Sequence, residues 1–278
     1  SEREFCQRIA AAAFTNPFSD QRYELDFQIA GYFQGEPDRA ERLRQSVGEL
    51  IQKLEGAGKA HLNAYAGEDR RVMEIVFLFE NFHRFYQHFD DLITNQVRAG
   101  ERPLNVDFAS DVLTLMSSRG FDGQIALRYF ALFYQLRRGF HFIMRGLTGH
   151  SPCMKELRKH LWNNVFTHDI RVYDSHLRDR MEDFSTLLLG ETGTGKGTAA
   201  AAIGRSAFIP YWPDRGSFAE SFTKTFLTIN LSQYPAAPIE PELFGHKKGA
   251  FTGAIAAHDG ILSQCSPYGA IFLDEIGE

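Results

Sequence analysis

Apolar residues recur at helical spacing through the first two thirds of the chain. Ile125, Tyr129, Leu132, Leu136, Phe140, Ile143 and Leu147 follow one another at steps of three and four. Arg128, Arg137, Arg138 and Arg145 fall between them. That spacing predicts an amphipathic helix over 125–147, its arginines on a solvated face. Val72, Val76, Phe79, Tyr86, Phe89, Ile93 and Val97 predict a second long helix, and Phe77, Leu78, Phe85 and Leu92 widen its stripe enough to bury more than one side. Shorter helices are expected at about 20–33, 37–55 and 107–118, with Gly56, Gly58, Gly100 and Gly120 as breaks. Pro152 suits a first helical turn with Ser151 as its cap, running through Leu161 or beyond. No alternating strand series appears in this region. His83 and His88 are five apart, one too many to stack as a metal pair on a helix face.

After residue 185 the pattern changes. Three short apolar runs, Thr186–Leu189, Phe226–Asn230 and Ala270–Leu273, read as buried strands of a parallel sheet. The shorter second part holds half of the 24 glycines and six of the ten prolines. Charge divides as well. Residues 1–180 are balanced, so residues 181–278 carry the whole net charge of −5, which argues against a wholly basic nucleic-acid coat. The 278 residues suit two domains. The fold class expected is an all-helical N-terminal domain plus an α/β P-loop domain. No apolar run approaches the roughly 18 residues of a membrane span. Cys6, Cys153 and Cys265 are too few and scattered for a disulfide framework. A cytoplasmic protein with no membrane partner is the expectation.

The chemistry lies in the second part. The run Gly190-Glu191-Thr192-Gly193-Thr194-Gly195-Lys196-Gly197-Thr198 follows the first strand and opens a helix. This is the setting of a phosphate-binding loop: glycines let N–H groups converge on phosphate oxygens, the helix N-terminus adds partial positive charge, and Lys196 adds a full one. Gly197 stands where many such loops place a Ser or Thr for Mg²⁺, so magnesium is expected to lean on phosphates, water and Asp274. Asp274 and Glu275 follow the third apolar run. There Asp274 can support Mg²⁺ and Glu275 can orient or deprotonate an attacking water. Asn230, at the end of the middle strand, is expected to reach the Glu275 carboxylate. The hexamer Gly249-Ala250-Phe251-Thr252-Gly253-Ala254 serves no nucleotide chemistry, and a glycine-hinged loop presenting an aromatic residue suits contact with a partner protein.

The hexamer spells GAFTGA. With the preceding ELFGHKK, the GETGTGK loop and the GAIFLDEIGE ending, the chain from about residue 160 resembles the sigma-54-dependent transcriptional activators, the bacterial enhancer-binding proteins. The resemblance implies an AAA+ ATPase, a parallel sheet with helices on both faces, and a ring of subunits, usually six, with ATP between neighbours. It implies that Gly190, Gly193, Gly195 and Lys196 bind phosphate, that Asp274 supports Mg²⁺ and Glu275 activates water. Asn230 matches the glutamate-switch asparagine, and the loop around Phe251 and Thr252 contacts sigma-54 RNA polymerase. The chain departs from the family at Gly197, where a Glu is frequent, and at Leu231-Ser232-Gln233, where a Cys-Ala-Ala run is common. The Phe208–Thr225 stretch is longer than usual and reads as a surface elaboration. The chain stops at Glu278, so sensor residue, arginine finger, lid and DNA-binding domain are expected beyond it. The chain by itself is expected to turn ATP over poorly. The division expected is 1–150 all-helical and regulatory, 151–180 a helical linker, and 181–278 the N-terminal portion of the ATPase domain. Two alternatives remain: an AAA+ remodelling ATPase for another partner, and a regulatory or oligomerisation module with a degenerate ATPase part. GAFTGA favours the activator over the first, and intact Lys196, Asp274 and Glu275 favour it over the second.

Overall fold

A computed structural model describes residues 1–178, 184–233, 239–247, 249–250 and 256–276. Eight helices come first: α1 (Glu2–Phe14), α2 (Asp20–Ala30), α3 (Gly35–Gly56), α4 (Gly67–Ala99), α5 (Ala109–Ser118), α6 (Gly123–Gly146), α7 (Pro152–Phe166) and the short α8 (Ile170–Val172). Periodicity placed all of these but α1 and α8. The α1 signal was its cap. Ser1 accepts from the Glu4 N–H and the Glu4 side chain reaches back, a capping box ahead of Cys6, Ile9 and Ala12, all buried. Side chains of Ser19 and Asp122 likewise cap α2 and α6. Ser151 holds the cap position of α7, but its side chain makes no capping bond and lies 3.0 Å from the Cys153 Sγ.

Helix α6 is the centre of the molecule. Phe130, Ala131, Leu132, Phe133, Tyr134, Gln135 and Arg138 are all buried, so consecutive positions face protein on every side. The expected solvated arginine face is therefore corrected. Arg138 is fully buried, and Arg137 is paired with Asp90 through two bonds of 2.8 and 2.6 Å. One side of α6 meets α4 and α5 in an aromatic core containing Phe77, Phe89 and Phe130. The other side meets α7 and the helix α9 (Lys196–Gly204).

The next segment carries β1 (Tyr211–Trp212) and β2 (Ser217–Phe218), an antiparallel pair. It is not a surface elaboration. Phe218 stacks on Tyr134 at 4.0 Å, Tyr211 meets Phe130 edge-on at 4.8 Å, and Ile209 and Phe222 are fully buried in the helical core. Backbone bonds tie it down further: the Val106 N–H donates to the Gly216 carbonyl at 2.8 Å, and the Ser221 hydroxyl donates to the Gly100 carbonyl at 2.8 Å. The hydrophobic core thus runs without a break from α1 to Phe222.

The strands β3 (Phe226–Asn230) and β6 (Ala270–Asp274) pair in parallel, Phe226 opposite Ala270 and Asn230 opposite Asp274. Between them lie α10 (Ile239–Phe244) and the antiparallel pair β4 (Gly245–His246) and β5 (His258–Asp259). The expected strand at Thr186–Leu189 is not formed. This run pairs with no strand among the described residues, and Leu187 and Leu189 are 69% and 85% exposed. A strand needs a neighbour to take its N–H and C=O groups, and an apolar run supplies only the side chains. Leu188 alone rests on the α6–α7 core. What stands is a helix-rich chain with a small parallel sheet.

Candidate nucleotide site and partner loop

The glycine loop leads into α9. Gly193 and Gly195 have φ of 83° and 91°, a left-handed backbone that side-chain-bearing residues resist, and space around both is open. Gly195 is the N-cap of α9 and Lys196 its first residue. The Lys196 ammonium lies inside the loop and donates to the carbonyls of Gly190 (2.8 Å) and Glu191 (3.0 Å). The Thr194 hydroxyl donates to the Glu191 carbonyl at 2.7 Å, closing the turn around Thr192 and Gly193. A Cβ at Gly190 would lie 2.9 Å from that hydroxyl, so the loop leaves no room for a side chain there. Gly197 and Thr198 occupy the exposed first turn of α9, and Thr198 touches the position where Gly146 would carry a Cβ, at the end of α6.

Packing of α9 on the sheet orients everything else. Gly197 faces Phe272 and Gly204 faces Phe226 and Ala270. The start of α9 therefore lies toward the C-terminal ends of the parallel strands, and its end lies at their beginnings. Gly204 is obligatory here, since a Cβ would sit 2.2 Å from the Phe226 ring. The consequence is that the glycine loop, Asn230 and Asp274 share the carboxyl edge of the sheet, where ligands of open α/β sheets bind. Glu275 follows Asp274 with φ of 59°, and its N–H donates to Asp274 Oδ1 at 3.1 Å. Glu275 is exposed and Asp274 half-buried. The Asn230 amide oxygen accepts from the Ser232 N–H (3.0 Å) and hydroxyl (2.8 Å), so here it closes its own turn.

The residues of the site fit a phosphate group. An ammonium that donates only to loop carbonyls can turn to phosphate oxygens instead, and the N–H groups of the first turn of α9 have no side-chain cap. Among the described residues no three His, Cys, Asp or Glu side chains gather as a metal site. No helix of the described residues is long and apolar enough to cross a membrane.

At the other end of this region, β4 and β5 form a two-stranded ribbon that brackets residues 247–257. Gly249 has φ of 82°, and the Ala250 N–H donates to the Lys247 carbonyl at 3.1 Å in the turn. Phe251, Thr252, Gly253 and Ala254 lie outside the described residues.

A helix-rich chain whose small parallel sheet carries a glycine loop on one flank is consistent in class with an AAA+ domain. The comparison of families makes the class specific. Residues 168–278 match the Sigma-54 interaction domain, and in this segment the chain is similar to sigma-54-dependent transcriptional activators. The chain is similar to the alginate biosynthesis transcriptional regulatory protein AlgB of Pseudomonas putida, 33% identical over 68% of this chain and 35% of that protein. It is similar to the Nif-specific regulatory protein of Azotobacter vinelandii, 34% identical over 51% of this chain and 22% of that one. With the DNA-binding transcriptional activator HyfR of Escherichia coli it shares 37% identity over 44% of this chain and 18% of HyfR. The chain thus spans about a third or less of these relatives' length. No solved structure matches it.

Proposed function

We propose that the chain is part of an ATP-driven transcription activator that remodels sigma-54 RNA polymerase through the GAFTGA loop. The observation that carries this is the antiparallel seating of α9 on β6, which brings Lys196 and Asp274 to one edge of the sheet. In this reading the 190–198 loop, Gly190 through Thr198, holds the phosphates of ATP with its N–H groups and Lys196. ATP supplies a phosphoryl group whose transfer to water releases the energy for remodelling. Asp274 supports Mg²⁺, and Glu275, exposed beside it, orients and deprotonates the water. The Asn230 amide oxygen accepts from Ser232, and the switch role assigns its amide N–H to the Glu275 carboxylate. Residues 249–254 follow β4 in sequence, and a glycine-hinged segment that carries an aromatic residue suits a partner surface. Ring assembly, DNA binding outside this chain, and a regulatory role for residues 1–150 joined by 151–180 belong to the same proposal.

The test uses the full-length protein with purified sigma-54, ADP and a metal-fluoride mimic of the transition state. Co-purification that requires the mimic and is lost in Thr252→Ala is the expected result. ATP hydrolysis without any such complex would refute the sigma-54 assignment and leave a remodelling ATPase for another partner.

A further inference from the structure

The helical part holds a cavity of about 130 Å³, open to solvent on one side, where α1, α2, α3, α4, α6 and α7 converge. Its walls are mainly rings and aliphatic chains, among them Phe79, Phe82, Phe133, Leu136, Phe140 and Trp162. An engineered apolar cavity of roughly 150 Å³ stays dry and binds benzene. The space therefore suits one aromatic ring, and rings prefer the edge and offset contacts that such walls offer.

Charge at the wall is already matched. Arg22 pairs with Asp26 at 2.7 Å and donates to the Ala12 carbonyl at 2.9 Å. Arg39 pairs with Glu36 and with Asp26, and Arg137 with Asp90. A charged guest would have to break one of these pairs or lie unpaired against an apolar wall, and both are costly. Of the neutral polar side chains at the wall, Thr15, Tyr86, Tyr129 and His83, the histidine is the buried one. His83 is 94% buried, and its Nδ1 lies 3.0 Å from the Phe79 carbonyl. A carbonyl only accepts, so Nδ1 carries the proton and Nε2 of the neutral ring is left as an acceptor.

We propose that this cavity is a binding site for a neutral, one-ring aromatic molecule carrying a hydroxyl or amine donor. Size sets the single ring, the paired arginines set neutrality, and His83 sets the donor. The site also borders the machinery described above. Phe133, Leu136 and Arg137 of α6 line the cavity, while Gln135 and Arg138 of the same helix bond the carbonyls of Ser206, Arg205 and Ala207, which follow α9. A guest would thus lie against the helix that holds the end of the glycine-loop helix. The assignment does not rest on ATP hydrolysis, and its test needs no nucleotide.

The experiment is fluorine NMR of 4-fluorophenol titrated with the full chain, beside fluorobenzene and 4-fluorobenzoate. Saturable binding of 4-fluorophenol is expected, with fluorobenzene about tenfold weaker, a single lost hydrogen bond, and no binding of 4-fluorobenzoate. Ala40→Phe and Leu136→Trp each add bulk at the wall, and each is expected to abolish binding while the melting curve still reports a folded protein. No saturable response, preferred binding of the benzoate, or binding undiminished in a folded wall variant would overturn the proposal. Should both variants fail to fold, the ranking of the three probes on the unaltered chain decides alone.

Discussion

His83 and Lys196 show how differently two basic side chains can be placed in one chain. Burial pushes the His83 pKa down to about 3 from 6.5, with Arg22 adding to the effect. The folded chain keeps the ring neutral, while the unfolded chain takes up a proton below pH 6.5. Stability from this group is whole above pH 6.5 and is lost as pH falls toward 3, amounting to about 2 kcal/mol at pH 5. His141, drawn down to about 4 by burial and then by Arg145, acts in the same direction. Urea midpoints at pH 7 and pH 5 check this: the drop between them should shrink in His83→Gln. Lys196 by contrast is half-exposed and free to turn from the Gly190 and Glu191 carbonyls. Lys196→Ala is expected to weaken ATP binding about 100-fold, the loss of roughly 3 kcal/mol of charge-assisted bonds. Titration with a fluorescent ATP analogue checks it, and fold stability should change little.

Among elements, the pairing of α6 with α9 is the most consequential. Arg138 donates from one amino group to the Arg205 carbonyl (2.8 Å) and from the other to the Ala207 carbonyl (2.7 Å), with its guanidinium 4.5 Å from the Tyr134 ring centre. Burial lowers its pKa to about 10, so it stays charged at neutral pH. It faces the C-terminal end of α9, where helix carbonyls carry partial negative charge. Arg138→Met is expected to cost about 3 kcal/mol in urea unfolding, because it orphans two partly buried carbonyls. Periodicity located α6 within two residues at its start and one at its end, yet it assigned Arg138 to the solvent. The reason is that a stripe drawn from apolar residues alone takes every arginine as outward, while Arg138 faces backbone carbonyls that no sequence pattern encodes.

For the whole molecule, the core crosses residue 150. Ile209, Phe218 and Phe222 are buried against α4 and α6, and α9 rests on Leu161, Val165 and Phe166 of α7 through the second core. A chain of residues 151–278 alone would expose these faces to water. It is expected to be poorly soluble and to bind a hydrophobic dye such as ANS, and gel filtration with dye fluorescence against the full chain tests this. The long helices, the glycine loop and the acidic strand end were legible in the sequence, because each depends on local spacing and local turn chemistry. The docking of Phe208–Thr225 was not, because its partners Phe130 and Tyr134 lie some 80 residues earlier.

By itself the sequence determined the helical periods, the glycine loop with Lys196, the Asp274-Glu275 step and the GAFTGA hexamer, since these are written in neighbouring residues. Tertiary structure alone decided that α9 runs antiparallel to β6, that Arg138 is interior, that a ring-sized cavity stands among paired arginines, and that Thr186–Leu189 pairs with no strand among the described residues. Each of these depends on which distant segment supplies the opposing surface, and a strand, a buried charge or a cavity exists only when that surface is in place.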